Sequence, residues 1–271
     1  MNQTNSSFNN NINTVISVIG DTGKMGSAVV GQLQNLGYTT IGYNSKNPVS
    51  VDKLLLTKSQ IVIDCSLPST VLSHINIAIE SQNKLIIATT GWYDNFATVQ
   101  AQIQDANLSA IVGTNFDKIA ILYRVLNSIT STVLGQDNNI RVGVLESHDS
   151  TKKDVSGTAV SIVNEDILPH LTVQNQIIFG SPNGEILGSD LQVVSERKHG
   201  KNPPTHIIDY TDQTNNTTLI LTHKGDSNRQ NYATGIVESV VILLDPTQIF
   251  VGIKDYANDI IKPQILNQIQ I

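Results

Sequence analysis

The chain has 271 residues, 39% of them hydrophobic and 15% charged, which predicts a globular protein with one large core or two moderate ones. Its formal charge of −6 argues against nucleic acid as a partner, because such binders need a cationic face to displace phosphate counterions. The single cysteine excludes an intramolecular disulfide and fits a reducing cytoplasm, and no apolar run approaches the ~20 residues of a membrane helix.

The first thirteen residues are rich in asparagine and lack the basic and apolar segments of a signal peptide, so they read as a disordered tail. Thr14 to Gly20 (TVISVIG) is a short β-branched run ending in glycine, which predicts a strand. Gly20-Asp21-Thr22-Gly23-Lys24-Met25-Gly26 follows, and then a segment with Val29, Val30, Leu33 and Leu36 at helical spacing before a stop at Gly37. A glycine-rich turn between a strand and a helix is what a dinucleotide fold requires. Glycine lets the backbone turn tightly and approach a pyrophosphate, and the helix N-terminus offers unpaired N–H groups to that anion.

Further strands are expected at Thr39–Tyr43, Gln60–Cys65, Lys84–Thr89 and Ser109–Val112, with a helix over Pro68–Glu80. Cys65 closes an apolar run and reads as a buried structural thiol. Strands alternating with helices imply parallel βαβ units. The second strand runs into Asn44-Ser45-Lys46 without a carboxylate, so Asn44 and its neighbours, aided by Lys24, lean the cofactor toward NADPH over NADH, with an ordinary solvated polar loop as the alternative. Ala88-Thr89-Thr90 and Gly113-Thr114-Asn115-Phe116 follow the fourth and fifth strands, where ligands of open parallel sheets bind, and are candidate cofactor contacts.

From about Asn139 the strands become longer and more alternating (IRVGVLES, LQVVSER, HIIDYT, TTLILTHK), suggesting a mixed open sheet joined to one helix, Ser156 to Leu168. Asn231 to Leu244 reads as a helix that packs back on the first domain. Residues 146 to 159 join strand to helix and are polar. His148, whose imidazole ordinarily titrates near neutrality, is placed to act as an acid. Ser156 is a good N-cap, so Gly157 and Thr158 would offer first-turn N–H groups to a carboxylate, with Lys152 and Lys153 adding positive charge. A surface loop ahead of an ordinary capped helix remains the alternative on spacing alone. His74 reads as structural. His206 and His223 lie on strands that could face the cleft, without an assigned role, and the histidines show no metal-ligand spacing.

The segment from Glu146 to Ala159 resembles the signature of dihydrodipicolinate reductases, roughly E-x-H-H-x-x-K-x-D-A-P-S-G-T-A. The family's opening G-x-x-G-x-M-G is similar to Gly20–Gly26. Ile63 to Pro68, Thr89-Thr90-Gly91, Asn115-Phe116, Thr222-His223-Lys224, Arg229 and Ala233-Thr234-Gly235 follow the family pattern in order. The resemblance implies an NAD(P)H-dependent reductase of a cyclic dicarboxylic imine in lysine and diaminopimelate biosynthesis, cytoplasmic and homotetrameric through second-domain sheets, with its two domains closing around the substrate. It implies that His148 is the acid/base, that Lys152 is proton donor and anchoring cation, and that Gly157 and Thr158 hold a substrate carboxylate. Asp149 stands where the family has a second, substrate-binding histidine, Val155 replaces Ala-Pro, and Ala88 replaces a glycine. Asp117-Lys118-Ile119-Ala120 replaces a Ser/Gly-rich run. These departures leave open a relative that reduces another cyclic imine, or a nucleotide-binding sensor without turnover.

The expected fold is therefore α/β: a Rossmann-type dinucleotide-binding domain over 14–116 and 229–271, and a second α+β domain with an open mixed sheet over 117–228.

Overall fold

A computed structural model describes residues 14–150, 155–171, 177–180, 191–198, 203–225 and 229–269. The expected N-terminal tail and Lys152 lie outside the described residues, as does the side chain of Asp149.

In chain order the first elements are β1 (Val15–Ile19), α1 (Lys24–Asn35), β2 (Thr39–Tyr43), α2 (Val51–Thr57) and β3 (Ile61–Asp64). They are followed by α3 (Val71–Glu80), β4 (Lys84–Ile87), α4 (Phe96–Asp105) and β5 (Ser109–Val112). Next come α5 (Lys118–Leu134), β6 (Ile140–Asp149), and α6 (Gly157–Ser161), which runs on as a π-helical stretch, Ile162–Ile167. The chain continues through β7 (Ile177–Gly180), β8 (Leu191–Lys198), β9 (Thr205–Asp212) and β10 (Thr217–Lys224). It ends with α7 (Gln230–Leu244), β11 (Gly252–Asp255) and α8 (Lys262–Ile269). These elements form two compact units: one runs to Asp117 and resumes at Arg229, and the other is Lys118–Asn228.

The first unit holds a six-stranded sheet of order β11-β5-β4-β3-β1-β2 with every pair parallel. Strands buried on both faces must be apolar throughout, and Ile61, Val62, Ile63, Leu85, Ile86, Ile87, Ala110 and Ile111 are all essentially inaccessible. Helix α1 ends in a left-handed Gly37, with Gly37 N–H on Gln34 O and Tyr38 N–H returning to Leu33 O, which satisfies carbonyls left over at the helix end. Helix α7 lies against α1, where Gln32 Nε2 donates to Gln230 O at 3.0 Å.

The second unit is a five-stranded mixed sheet of order β10-β9-β6-β8-β7, in which β6 runs parallel to β8 and antiparallel to β9. One helix was expected with this sheet; among the described residues there are two, because α5 also belongs to this unit. The reason lies in the composition of α5. Ile119, Leu122, Leu126 and Val133 are exposed while Ile121, Tyr123 and Val125 are buried, so apolar residues lie on more than one face and the helical stripe is blurred. Tyr123, Val142, Val144, Ile162, Val163, Ile167, Ile208 and Tyr210 make this unit's core.

Candidate active site

In the first unit the glycine turn leaves β1, which lies between β2 and β3 where strand order reverses and ligands of such folds bind. Gly20 has φ +84°, and a Cβ there would lie 2.4 Å from Cys65 O. A Cβ on Gly26 would lie 2.2 Å from Gly20 O, so the turn closes only with glycine at both positions. Helix α1 starts at Lys24 with no side-chain cap and no acidic residue in its first turn. Its first N–H groups and the positive end of its dipole are therefore available to an anion, and Thr22, Gly23 and Lys24 are exposed beside it. Met25 is half-buried. These residues fit a dinucleotide pyrophosphate.

The other candidate cofactor residues divide into exposed tips and buried supports. Thr90 and Thr114 are exposed, and Ala88 is half-buried. Thr89 is buried and donates to Asp64 Oδ1 at 2.5 Å, while its carbonyl accepts from Trp92 Nε1 at 2.8 Å. Asp64 also accepts from Ser66 and lies 2.7 Å from His74 Nδ1, so one buried carboxylate ties together the loops after β3 and β4. His74 thus has the structural surroundings expected of it. Gly113, Asn115 and Phe116 are buried; Asn115 Oδ1 accepts from Asp117 N–H, and the Phe116 ring packs 4.9 Å from Tyr256. Asn44 gives its amide N–H to Asp21 Oδ1 at 2.9 Å, and its Oδ1 accepts from Lys46 N–H.

In the second unit, register builds the site. Ser195 of β8, Glu146 of β6, His206 of β9 and His223 of β10 are cross-strand partners in one row. Directly paired residues point to the same face, as do residues two apart along a strand, so His148 stands on that face as well. The same face is apolar at Val142 and Val144, and it turns polar at Glu146 and His148, beside the start of α6.

Ser156 closes the row from above. Its Oγ caps Ala159 N–H at 3.0 Å and lies 3.1 Å from His206 Nε2, while its own N–H donates to Glu146 Oε2 at 3.0 Å. Glu146 Oε1 accepts from Ser195 Oγ at 2.5 Å and lies 3.4 Å from Arg197. Burial opposes ionisation of Glu146, but contacts from His148, Ser156 and Ser195 outweigh it and hold the carboxyl well below its usual range. His148 Nε2 lies 3.5 Å from Glu146 Oε2, with no hydrogen-bond partner among the described residues. Gly157 and Thr158 form the first turn of α6, as the capping pattern predicts.

Glu146, His148 and His206 each bring one ligand atom to within 4.8 Å of the others, a spacing no sequence pattern announced. The carboxylate is already engaged by Ser156, Ser195 and Arg197, and His206 by Ser156. Holding and moving a proton suits this arrangement better than holding a cation. Ser195, Arg197 and His206 had no assigned role in the sequence; the one available signal was the alternation that puts Glu146 and His148 on one face of a strand.

Burial, with His223 and His148 nearby, lowers His206 to about 4. An unfolded histidine titrates near 6.5, so between about pH 6.5 and 4 the unfolded chain binds the extra proton and stability falls as pH drops. The Glu146 contribution is lost only below the ordinary carboxylate range. We expect urea unfolding to show a loss of about 2 kcal/mol between pH 7.5 and 5 that is absent in His206→Asn. An identical pH slope in the variant would mean that another group carries it.

Comparison with known proteins covers both units. A family profile described as dihydrodipicolinate reductase, N-terminus, matches residues 14–116, and its C-terminal counterpart matches residues 119–256. The chain is 25% identical over 203 residues to a 4-hydroxy-tetrahydrodipicolinate reductase of Christiangramia forsetii, covering 74% of this chain and 81% of that one. It is 23% identical over 256 residues to the enzyme of the same name from Corynebacterium urealyticum, covering 89% and 97%. Among solved structures, a dipicolinate-bound dihydrodipicolinate reductase from a Paenisporosarcina species shares the fold, with a TM-score of 0.69 at 19% identity over 89% of this chain and 97% of that one.

Proposed function

We propose that this chain, which belongs to the dihydrodipicolinate reductase family, reduces 4-hydroxy-tetrahydrodipicolinate to tetrahydrodipicolinate with NADH or NADPH. The observation that carries the reading is the placing of His148 beside Glu146 and the Ser156-capped turn, in a chain matched to the family over both halves. The substrate gains a hydride and a proton and loses its 4-hydroxyl as water. A reduced nicotinamide dinucleotide, when bound at the glycine turn, supplies the hydride.

The protein's own share is to bind the pyrophosphate, orient the substrate and deliver the proton. Gly20, Asp21, Thr22, Gly23, Lys24 and Met25 form the turn that receives the dinucleotide, with Ala88, Thr89, Thr90 and Gly113 to Phe116 behind it. His148 is the acid, and the Glu146 carboxylate lies 3.5 Å from its ring. The N–H groups of Gly157 and Thr158 take a substrate carboxylate, and Lys152 anchors the dicarboxylate and assists protonation. Asp149 is a second substrate-side residue.

On the same reading the enzyme works in the cytoplasm, in lysine and diaminopimelate biosynthesis, as a homotetramer. Exposed Leu219 and Ile220 on β10 offer apolar surface to such an assembly. No helix among the described residues is long and apolar enough to cross a membrane.

The test generates the substrate in situ with its upstream synthase and follows reduced-nicotinamide absorbance. We expect turnover dependent on both the synthase product and His148. Nucleotide binding without turnover would instead favour a relative acting on another cyclic imine, or a sensor.

A further inference from the structure

The strand that in such folds ends in an acidic residue, β2, has none of its own, and its polar continuation Asn44-Ser45-Lys46 is what pointed to NADPH. The structure nevertheless puts a carboxylate there. Asp21, the first residue after Gly20, folds back from the glycine turn across the end of β2. A Cβ on Gly42, the next-to-last residue of that strand, would lie 2.0 Å from Asp21 Oδ2. The missing side chain at Gly42 is therefore the space the carboxylate occupies. Asn44 fixes it from the other side, donating Nδ2–H to Asp21 Oδ1 at 2.9 Å. Asn44 is itself held, because its Oδ1 accepts from the backbone N–H of Lys46 and Asn47.

We infer that Asp21 sets the nucleotide preference of this protein, selecting NADH over NADPH by presenting its carboxylate to the ribose hydroxyls next to the second strand. The inference rests on the dinucleotide-binding part of the function proposed above. Ribose hydroxyls in this fold are read by an acceptor beside the end of the second strand. A carboxylate is acceptor-only, so it takes the 2′- and 3′-hydroxyl protons, and charge makes those bonds strong. A 2′-phosphate brings further negative charge to the same spot and no proton to donate. Lys24 and Lys46 are the cations nearest in sequence, but both are exposed, so their attraction is screened by solvent. Asp21 is only partly accessible, is bonded at Oδ1 by Asn44 and has Oδ2 packed against the backbone at Gly42, so its repulsion is less screened and not relieved by a cheap rotation. Asn44, expected to contact the nucleotide, becomes a positioning residue for Asp21.

The experiment is direct titration of the full chain with NADH and with NADPH, following nicotinamide fluorescence, with no imine present. Wild type is expected to bind NADH about 10- to 100-fold more tightly, the scale of a charge-assisted hydrogen bond gained against a repulsion. Asp21→Asn keeps the shape, removes the charge, and should bring the ratio close to one, mainly by tightening NADPH. Gly42→Ala leaves the carboxylate in the chain but drives it from its seat, and should shift the ratio the same way. Because both readouts are ratios of two affinities on one protein, partial loss of folded material does not mimic the effect. Equal or tighter binding of NADPH by wild type overturns the inference and leaves the reductase reading intact. So does an unchanged ratio in Asp21→Asn. Failure of wild type to bind either nucleotide overturns the reductase reading and the inference together.

Discussion

His148→Ala is expected to lower turnover by at least about 100-fold, the usual scale for a positioned acid. Its affinity for reduced nicotinamide dinucleotide should stay within error of wild type, because the glycine turn belongs to the other unit of the chain. The expectation comes from the chemistry of the row it stands on. Glu146 is kept ionised by His148, Ser156 and Ser195, and His206, lowered to about 4, is neutral at pH 7. His148 is the imidazole beside them whose Nε2 has no hydrogen-bond partner among the described residues, 3.5 Å from Glu146 Oε2. His148→Gln keeps a polar side chain of similar reach but has no proton to give at neutral pH. It should be as inactive as alanine while melting closer to wild type. Substrate-independent nucleotide binding and the thermal midpoint, measured on both variants, separate loss of the acid from loss of the fold. Turnover comparable to wild type in either variant would remove His148 from the mechanism and shift the proton to Lys152.

The parallel sheet was legible because its strands are buried on both faces. β1, β3, β4 and β5 are short runs dominated by isoleucine, valine and other aliphatic residues that no exposed element would carry. The glycine turn was legible because backbone approach leaves no room for a side chain at Gly20 and Gly26. Helices α2 and α4 gave weaker signals. Leu55 and Leu56 of α2 point to solvent, and α4 buries only Val99 and Ile103. Strand β11 has four residues, too few for periodicity to register. Of the polar row, the Ser156 cap could be read locally, since a cap acts on residues two or three positions away. The rest could not. Glu146 meets Ser195 and Arg197, 49 and 51 positions away, and, through Ser156, His206 only because distant strands align in register. The acidic group next to β2 escaped for the same reason, since it is delivered from the turn after β1 rather than from the strand that would ordinarily carry it.

The largest loss of stability should follow Asp166→Ala, by roughly 3–5 kcal/mol, because it strands a buried charge. Arg124 of α5 is 6% exposed and its guanidinium grips Asp166 through two bonds, Nε to Oδ2 at 2.6 Å and Nη2 to Oδ1 at 3.0 Å. Burial opposes the charge on Arg124, and the two carboxylates outweigh that and hold it above its ordinary value. Asp166 is fully buried, whereas Glu165, 2.7 Å from the same guanidinium, has a half-exposed side chain. Glu165→Ala should therefore cost less than about 1 kcal/mol, since solvent already screens that pair. The contrast matters for function because Asp166 lies in the π-helical stretch that continues α6, whose cap Ser156 touches Glu146 and His206. Loosening the grip on Arg124 frees the far end of the segment that seats the row. The double replacement Arg124→Met with Asp166→Leu removes both charges and keeps apolar volume, so it should recover most of the lost stability. Urea unfolding of the three variants decides the matter. If Asp166→Ala and Glu165→Ala prove equally mild, the buried pair contributes little and α6 is held by the apolar packing of Ile162, Val163 and Ile167 alone.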